Sequence, residues 1–403
     1  MKKQREFVIL KERRSLCLTF NIARKMKIEE IKKNIMSDTQ HIPIIIANTS
    51  PFRLIKRNEE DIWAPTIDEI NDRKYDYVKL HRLSGFINAG ISLKFPMAVA
   101  FDGSFILPCL PELKEKNSVL EVFNRAFCKL MLGGVFYHAV SPADISYGRL
   151  TLDGYFKSCY CEGHGHNYTF HHVIGTTIVG PLDSIKLLAP KSDTVEDIKL
   201  AFNKGAKILE GIPTVSPTVL LNGISYRTMN QWSDALINIW TCIEQVLEHI
   251  WREKVVTFGN QKIPGRKDLL KDNRTWAIST KIELLYQRSV LDFAVYSLLN
   301  KARKARNNFI HRGSTPQKDS VDAAIKGLFH MASLLISEFA NSNLLTDLIE
   351  EIKRYDPYDN VREEGKVTHW LPIPPIPGDT EWGDKQYETF EDICLVPISY
   401  EDG

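Results

Sequence analysis

The chain has 403 residues, more than one hydrophobic core usually supports, so two or more domains are expected. Apolar residues make up 43% and charged residues 25%, the balance of an ordinary globular protein, which excludes wholesale disorder, collagen-like repeats and disulfide scaffolds. The net charge of +2 sets 52 basic against 50 acidic side chains, so only the distribution of charge can point to a nucleic-acid partner.

Residues 1–35 form a basic arm. Its first 33 positions hold eleven Lys or Arg and four Glu, which reads as a solvated surface helix, with an RNA-contacting arm as the alternative. The apolar stretch Phe7–Leu10 is cut off by Lys11-Glu12-Arg13-Arg14, too short for a secretory signal. No stretch reaches the roughly 18–20 apolar residues of a membrane span. Seven scattered cysteines, an odd number, match a reducing compartment. The expectation is a cytoplasmic protein without a membrane partner.

Residues 36–225 carry mixed signals. Strands are predicted at His41–Ala47 and at Met97–Phe101, the latter running into Asp102-Gly103. Apolar residues at helical spacing over Val119–Leu132 predict a helix ended by Gly133-Gly134. Strand-like runs follow near Tyr168–Val179. A second helix, Val195–Leu209, opens after Ser192-Asp193-Thr194 with Glu196 in its first turn. The region is predicted as one mixed α/β domain with a sensing or regulatory role.

The character changes after Asn222-Gly223. Leu236, Ile239, Trp240, Ile243, Val246, Leu247 and Ile250 give Ser233–Trp251 the pattern of an amphipathic helix. Basic, loop-like residues run from Arg252 to Lys271. Helices are predicted over Thr275–Arg288, Asp292–Arg312, Asp319–Asn341 and Leu344–Arg354, the second with Asp at its start and Gly313 just past its end. Short connections make residues 226–355 an antiparallel helical bundle. Residues 356–403 read as an extended tail. The polyproline-like Leu371–Gly378 can form neither helix nor central strand, and residues 350–403 hold fourteen acidic against five basic side chains. The predicted fold class is α+β: a mixed N-terminal domain, an all-α bundle and a Pro-rich acidic tail.

Two clusters could carry chemistry. Cys159, Cys161, His164 and His166, followed by His171-His172, fall close together. Cys-x-Cys and His-x-His are tighter than ordinary zinc spacing, however, and no distant ligand pair completes them. A solvent-exposed hairpin is the favoured reading, and neither metal nor cofactor is expected. The second cluster is Lys301-Ala302-Arg303-Lys304-Ala305-Arg306-Asn307-Asn308-Phe309-Ile310-His311-Arg312-Gly313. No Asp or Glu occurs between Asp292 and Asp319. Helix geometry puts Arg303, Asn307 and His311 on one stripe with Arg306 beside it. His311 and Arg312 fall in the last turn, where the helix dipole favours cations. Such a surface can hold a phosphate through its arginines and move a proton through its histidine. No phosphate-binding loop, HExxH or Gly-x-Ser-x-Gly occurs, which removes ATP-driven and serine-hydrolase readings.

Arg306-Asn307-x-x-x-His311 resembles the Arg-x(4–6)-His motif of the HEPN superfamily of helical-bundle ribonucleases. Asn238-Ile239-Trp240-Thr241-Cys242-Ile243-Glu244 is similar to the tryptophan-then-glutamate first helix of its ApeA-like, anti-phage branch. Leu132-Gly133-Gly134 and Ser141–Ile145 look like pieces of the N-terminal domain that accompanies that branch. The specific resemblance covers about residues 228–340. It implies metal-independent endoribonuclease activity on RNA, tRNA among the candidate substrates, in a homodimer formed through the bundle. Abortive infection would follow, set off by a phage-derived trigger. His311 would be the general acid/base, Arg306 would bind the scissile phosphate, Asn307 would orient either, and Glu244 would fix Arg306. Lys301, Arg303, Lys304 and Arg312 would track the RNA backbone. A catalytically silent module for dimerisation or RNA binding is the alternative, with Arg306 paired to Glu244 as a strut.

Overall fold

The computed structural model describes residues 41–336, apart from 73–76, 93, 162–166, 168–170, 172–190, 258–262 and 273. The basic arm, most of Tyr168–Val179, the helix expected at Leu344–Arg354 and the Pro-rich tail lie outside the described residues. What is described is α+β: an antiparallel sheet followed by a helical region.

Eight strands are present among the described residues: β1 (His41–Ala47), β2 (Arg53–Lys56), β3 (Leu83–Ser92), β4 (Phe95–Ala100), β5 (Phe105–Pro108), β6 (Ile145–Thr151), β7 (Phe156–Cys161) and β8 (Lys191–Thr194). Six of them form one sheet in the order β3-β4-β5-β1-β6-β7, with every neighbouring pair antiparallel. β2 and β8 form a separate parallel pair. Strand β1 has the bounds expected from the sequence, although its second half does not alternate. Its neighbours Ile44, Ile45 and Ile46 are all about 1% exposed, because both faces of the sheet are covered. Ile45 and Ala47 face the main core with Val99, Phe105 and Leu107, while Ile44 and Ile46 join Ala98, Ala100, Ile106 and Phe156 on the other side. Burial on both faces erases the alternation that marks a half-exposed strand.

The helices are α1 (Ile67–Asn71), α2 (Lys116–Leu132), α3 (Val195–Gly211), α4 (Pro217–Thr228), α5 (Trp232–Trp251), α6 (Arg266–Lys271), α7 (Ile278–Gln287), α8 (Phe293–Arg312) and α9 (Lys318–Ser333). A capping box starts α3: Thr194 Oγ1 accepts from the Asp197 N–H and Asp197 Oδ2 accepts from the Thr194 N–H. Helix α5 is the hub, packing against α4, α7, α8 and α9, and α2 joins α3, α4 and β3. One core runs unbroken from Ile45 in the sheet through Phe127 and Trp240 to Ile336. No helix among the described residues is long and apolar enough to cross a membrane.

Three local readings are corrected. Asn222-Gly223 is no break but the middle of α4, a helix that reading overlooked. Glycine is needed there, since a Cβ on Gly223 would stand 2.7 Å from Ile239 Cδ1 of α5. The stretch expected as loop from Arg252 to Lys271 contains a π-helical turn, Arg252–Val256, and α6. Helix α7 starts at Ile278 rather than Thr275, because Thr275 Oγ1 donates to Asp272 Oδ2 and Trp276 packs on Trp251 with its Nε1 donating to the Leu269 carbonyl.

A fourth correction concerns His171. It is 2% exposed, unlike a residue of a solvent-facing hairpin. Its Nδ1 donates to Asp102 Oδ2 at 2.9 Å and also meets Ser104 Oγ at 3.2 Å, while Nε2 donates to the Thr49 carbonyl at 2.9 Å. Burial pushes the His171 pKa down, but the charge and hydrogen bond of Asp102, the Thr49 carbonyl and the charge of Asp144 together raise it above its ordinary value. For Asp102, burial pushes upward and is outweighed by the charge and hydrogen bond of His171, leaving that carboxyl below its usual range. The ion pair therefore stabilises the fold between the ordinary Asp and His values, roughly pH 4 to 6.5. Its contribution fades as pH rises through the raised His171 value or falls through the lowered Asp102 value. His138 works the other way: burial lowers it to about 4, so acid favours the unfolded chain below the ordinary His range. The difference in denaturation midpoint between wild type and His171→Gln isolates the pair, and it should be largest near pH 5–6 and shrink above neutrality. A difference independent of pH would show that His171 is neutral in the folded state.

Candidate nucleic-acid interface

Helix α8 has the ends that its sequence signals. Asp292 Oδ1 accepts from the Val295 N–H at 2.8 Å, and Gly313 closes the helix in the left-handed region at φ 66°. Between them the helix changes character. Val295, Leu299 and Ala302, one apolar stripe, are buried against the core, and from Arg303 to Arg312 no residue is buried. The C-terminal half of α8 is half-buried on one side, where Ala305 packs on the core, and exposes Lys301, Lys304, His311 and Arg312 on the other, with Arg303 and Arg306 between.

Among the described residues, little of this charge is neutralised. Lys301 Nζ lies 3.9 Å from Asp319 Oδ2, an exposed pair of small energetic weight. Two of the acids of α5 are committed elsewhere. Glu244 Oε1 accepts from the Trp240 indole Nε1 at 2.6 Å, and Glu248 is ion-paired with Lys281, a lysine 1% exposed. Glu244 is half-buried on a helix that packs against α8, but no hydrogen bond or ion pair joins it to Arg306. The direct positioning of Arg306 by Glu244, in either the catalytic or the strut form, is absent from this structure.

Arg306 is half-buried. One Nη donates weakly to Asn307 Oδ1 at 3.4 Å, and Nε is enclosed without an acceptor. Leaving an enclosed N–H unpaired costs about 1–3 kcal/mol, so such a group is normally bonded. Here the guanidinium keeps its fork uncommitted to any carboxylate among the described residues. His311 and Arg312 are exposed in the last turn, within reach of a large ligand. The structure brings Arg306 and Asn307 into contact and sets His311 one turn further along the same helix.

The cysteine cluster is only partly described. Cys159 is exposed and Cys161 half-buried, both on β7, while His164, His166 and His172 lie outside the described residues. The register with β6 shifts between Tyr147 and Gly148, so Cys159 is an extra residue and the two sulfurs do not follow simple alternation. Among the described residues no group of three or more His, Cys, Asp or Glu side chains is placed to hold a metal.

Buried charges escaped the sequence reading altogether. Arg53, 1% exposed, donates from Nη1 to Asp193 Oδ2 at 2.7 Å and from Nε to the Phe136 carbonyl, and Arg227 pairs with Asp322 of α9. Nothing in the local pattern sets these arginines apart from surface ones.

No family model, curated protein or solved structure matches this chain.

Proposed function

We propose that this protein is a metal-independent endoribonuclease of the HEPN type, acting in anti-phage defence from the cytoplasm and working as a homodimer through its helical region. The observation that carries the reading is the C-terminal half of α8: an acid-free basic run, partly exposed, in which Arg306, unpaired with any described carboxylate, precedes His311 by five positions. RNA brings its own nucleophile, the 2′-hydroxyl. The protein then has two tasks, moving a proton and stabilising charge on the phosphorane. His311 is assigned the proton transfer, a role worth roughly 10²–10⁴ in rate. Arg306 meets the phosphate with two parallel N–H donors, and Asn307 steadies that guanidinium. Arg303, Lys304, Arg312 and Lys301 add sequence-blind attraction for the RNA backbone. Glu244, bonded to Trp240, serves the packing of α5.

Purified protein incubated with tRNA and total RNA should leave 2′,3′-cyclic phosphate and 5′-hydroxyl ends, and EDTA should not change the rate, because arginines supply the charge that metals supply in two-metal nucleases. Cleavage that vanishes with EDTA and returns with Mg²⁺ would remove the Arg306/His311 mechanism. RNA bound but never cut would favour the silent module instead.

A further inference from the structure

An open cleft of about 740 Å³ lies between α2 and α4, and no residue of α8 lines it. Two polar stripes line it. On α4, Thr218, Asn222 and Tyr226 follow one another at four-residue spacing, so they share one face. On α2, Asn117, Glu121 and Arg125 repeat the same spacing and line the same cleft. The volume falls in the range of pockets that take nucleotide-sized ligands.

The side chains of these six residues make no hydrogen bond or ion pair with any other described residue. Asn117, Glu121 and Arg125 are exposed, and Thr218, Asn222 and Tyr226 are half-buried with their polar atoms open to the solvent of the cleft, where a ligand can reach them. Glu121 and Arg125 stand one helical turn apart with opposite charges and still do not pair. The walls, by contrast, are tied down. Asn124 is bonded at both ends of its amide, to the Val140 carbonyl at 3.0 Å and the Val140 N–H at 2.8 Å. Gln245 of α5 accepts from the Ser216 N–H through Oε1 at 3.0 Å, and its carbonyl accepts from Thr214 Oγ1. Prolines at 142, 213 and 217 stiffen the rim. The frame is thus fixed, while the polar side chains that line the cleft are left for a ligand to engage.

We propose that this cleft binds a nucleotide. Arg125 supplies the anion contact, on the side facing the first turn of α4, which carries no acidic residue; Glu121, the acid in the lining, lies one turn earlier on α2. The amides of Asn117 and Asn222 each offer both a donor and an acceptor, the combination that the edge of a heterocyclic base presents in return. Tyr226 offers a ring face for stacking, and Glu121 an acceptor for ribose hydroxyls. A free amino acid would leave most of the volume empty, and a purely apolar ligand would strand the two stripes unpaired.

The test uses the full chain. Calorimetric titration with ribonucleoside 5′-mono- and triphosphates, and with inorganic phosphate, should show at least one nucleotide binding in the micromolar range and phosphate alone not binding. Arg125→Gln and Asn222→Leu should each weaken that nucleotide by about tenfold or more, loss of one well-placed polar contact. Both should leave the melting temperature of the free protein nearly unchanged, since neither side chain bonds to another described residue. If no nucleotide binds below about 1 mM, or if binding is the same in both variants, the cleft is not the site. Phosphate binding as tightly as any nucleotide would reduce the cleft to an anion site and overturn the proposal. None of these readouts passes through RNA cleavage, so they stand or fall apart from the proposed nuclease activity.

Discussion

His311→Ala and Arg306→Ala should each lower RNA cleavage by at least roughly 10²-fold while the protein stays folded. The separation of activity from stability follows from where the residues sit. His311 is exposed in the last turn of α8 and no hydrogen bond from a described residue holds its ring, so its truncation removes little that stabilises the fold. Arg306 makes one long bond, to Asn307, and encloses an Nε without an acceptor, so its removal also relieves an unsatisfied group. Arg306→Lys should not rescue, because a lysine keeps the charge but lacks the planar fork that grips two phosphate oxygens. Cleavage at the wild-type rate by His311→Ala would end the catalytic assignment. A fall in activity accompanied by a large fall in melting temperature would mean instead that the end of α8 is structural.

The ends of α8 were legible to the residue, since Asp292 and Gly313 act through local backbone chemistry that a sequence displays. Helix α5 was equally legible from its apolar spacing. Helix α4 was not. Asn222-Gly223 has the composition of a turn, and only the approach of Ile239 explains a glycine in mid-helix. The sheet was half legible: His41–Ala47 stood out as an apolar run bounded by turn residues, whereas β6 and β7 mix polar and apolar residues without a clean period of two and were not expected. At the candidate site, motif spacing placed Arg306, Asn307 and His311 on one helix end correctly. The engagement of Glu244 with Trp240 could not be read, because a carboxylate four residues from an indole looks the same whether it turns along its own helix or across to the next. The buried pairs Arg53–Asp193, Arg227–Asp322 and His171–Asp102 join residues far apart in the chain, which no local pattern records.

Gly205→Ala should destabilise the protein by roughly 3 kcal/mol, against the stabilisation of about 1 kcal/mol that helix propensity alone assigns to the same change. Gly205 sits inside α3, where a Cβ would fall 1.7 Å from the Lys129 carbonyl oxygen of α2. At the other end of the same contact, a Cβ on Gly133 would fall 1.9 Å from the Ala201 carbonyl oxygen. The two helices therefore meet backbone to backbone, and no rotamer change can make room. Relief requires α2 and α3 to separate. Helix α2 is poorly placed to retreat, because its other faces carry Phe123, Phe127 and Leu130, all fully buried in the core shared with the sheet and α4. Asn203→Ala is the matched control: it is exposed on the same helix, two residues away, and should add a few tenths of a kcal/mol through propensity. Denaturant titration of the two variants against wild type decides the point. If Gly205→Ala is the more stable protein, α2 and α3 do not touch through their backbones, and the frame that holds Arg125 opposite α4 is looser than described.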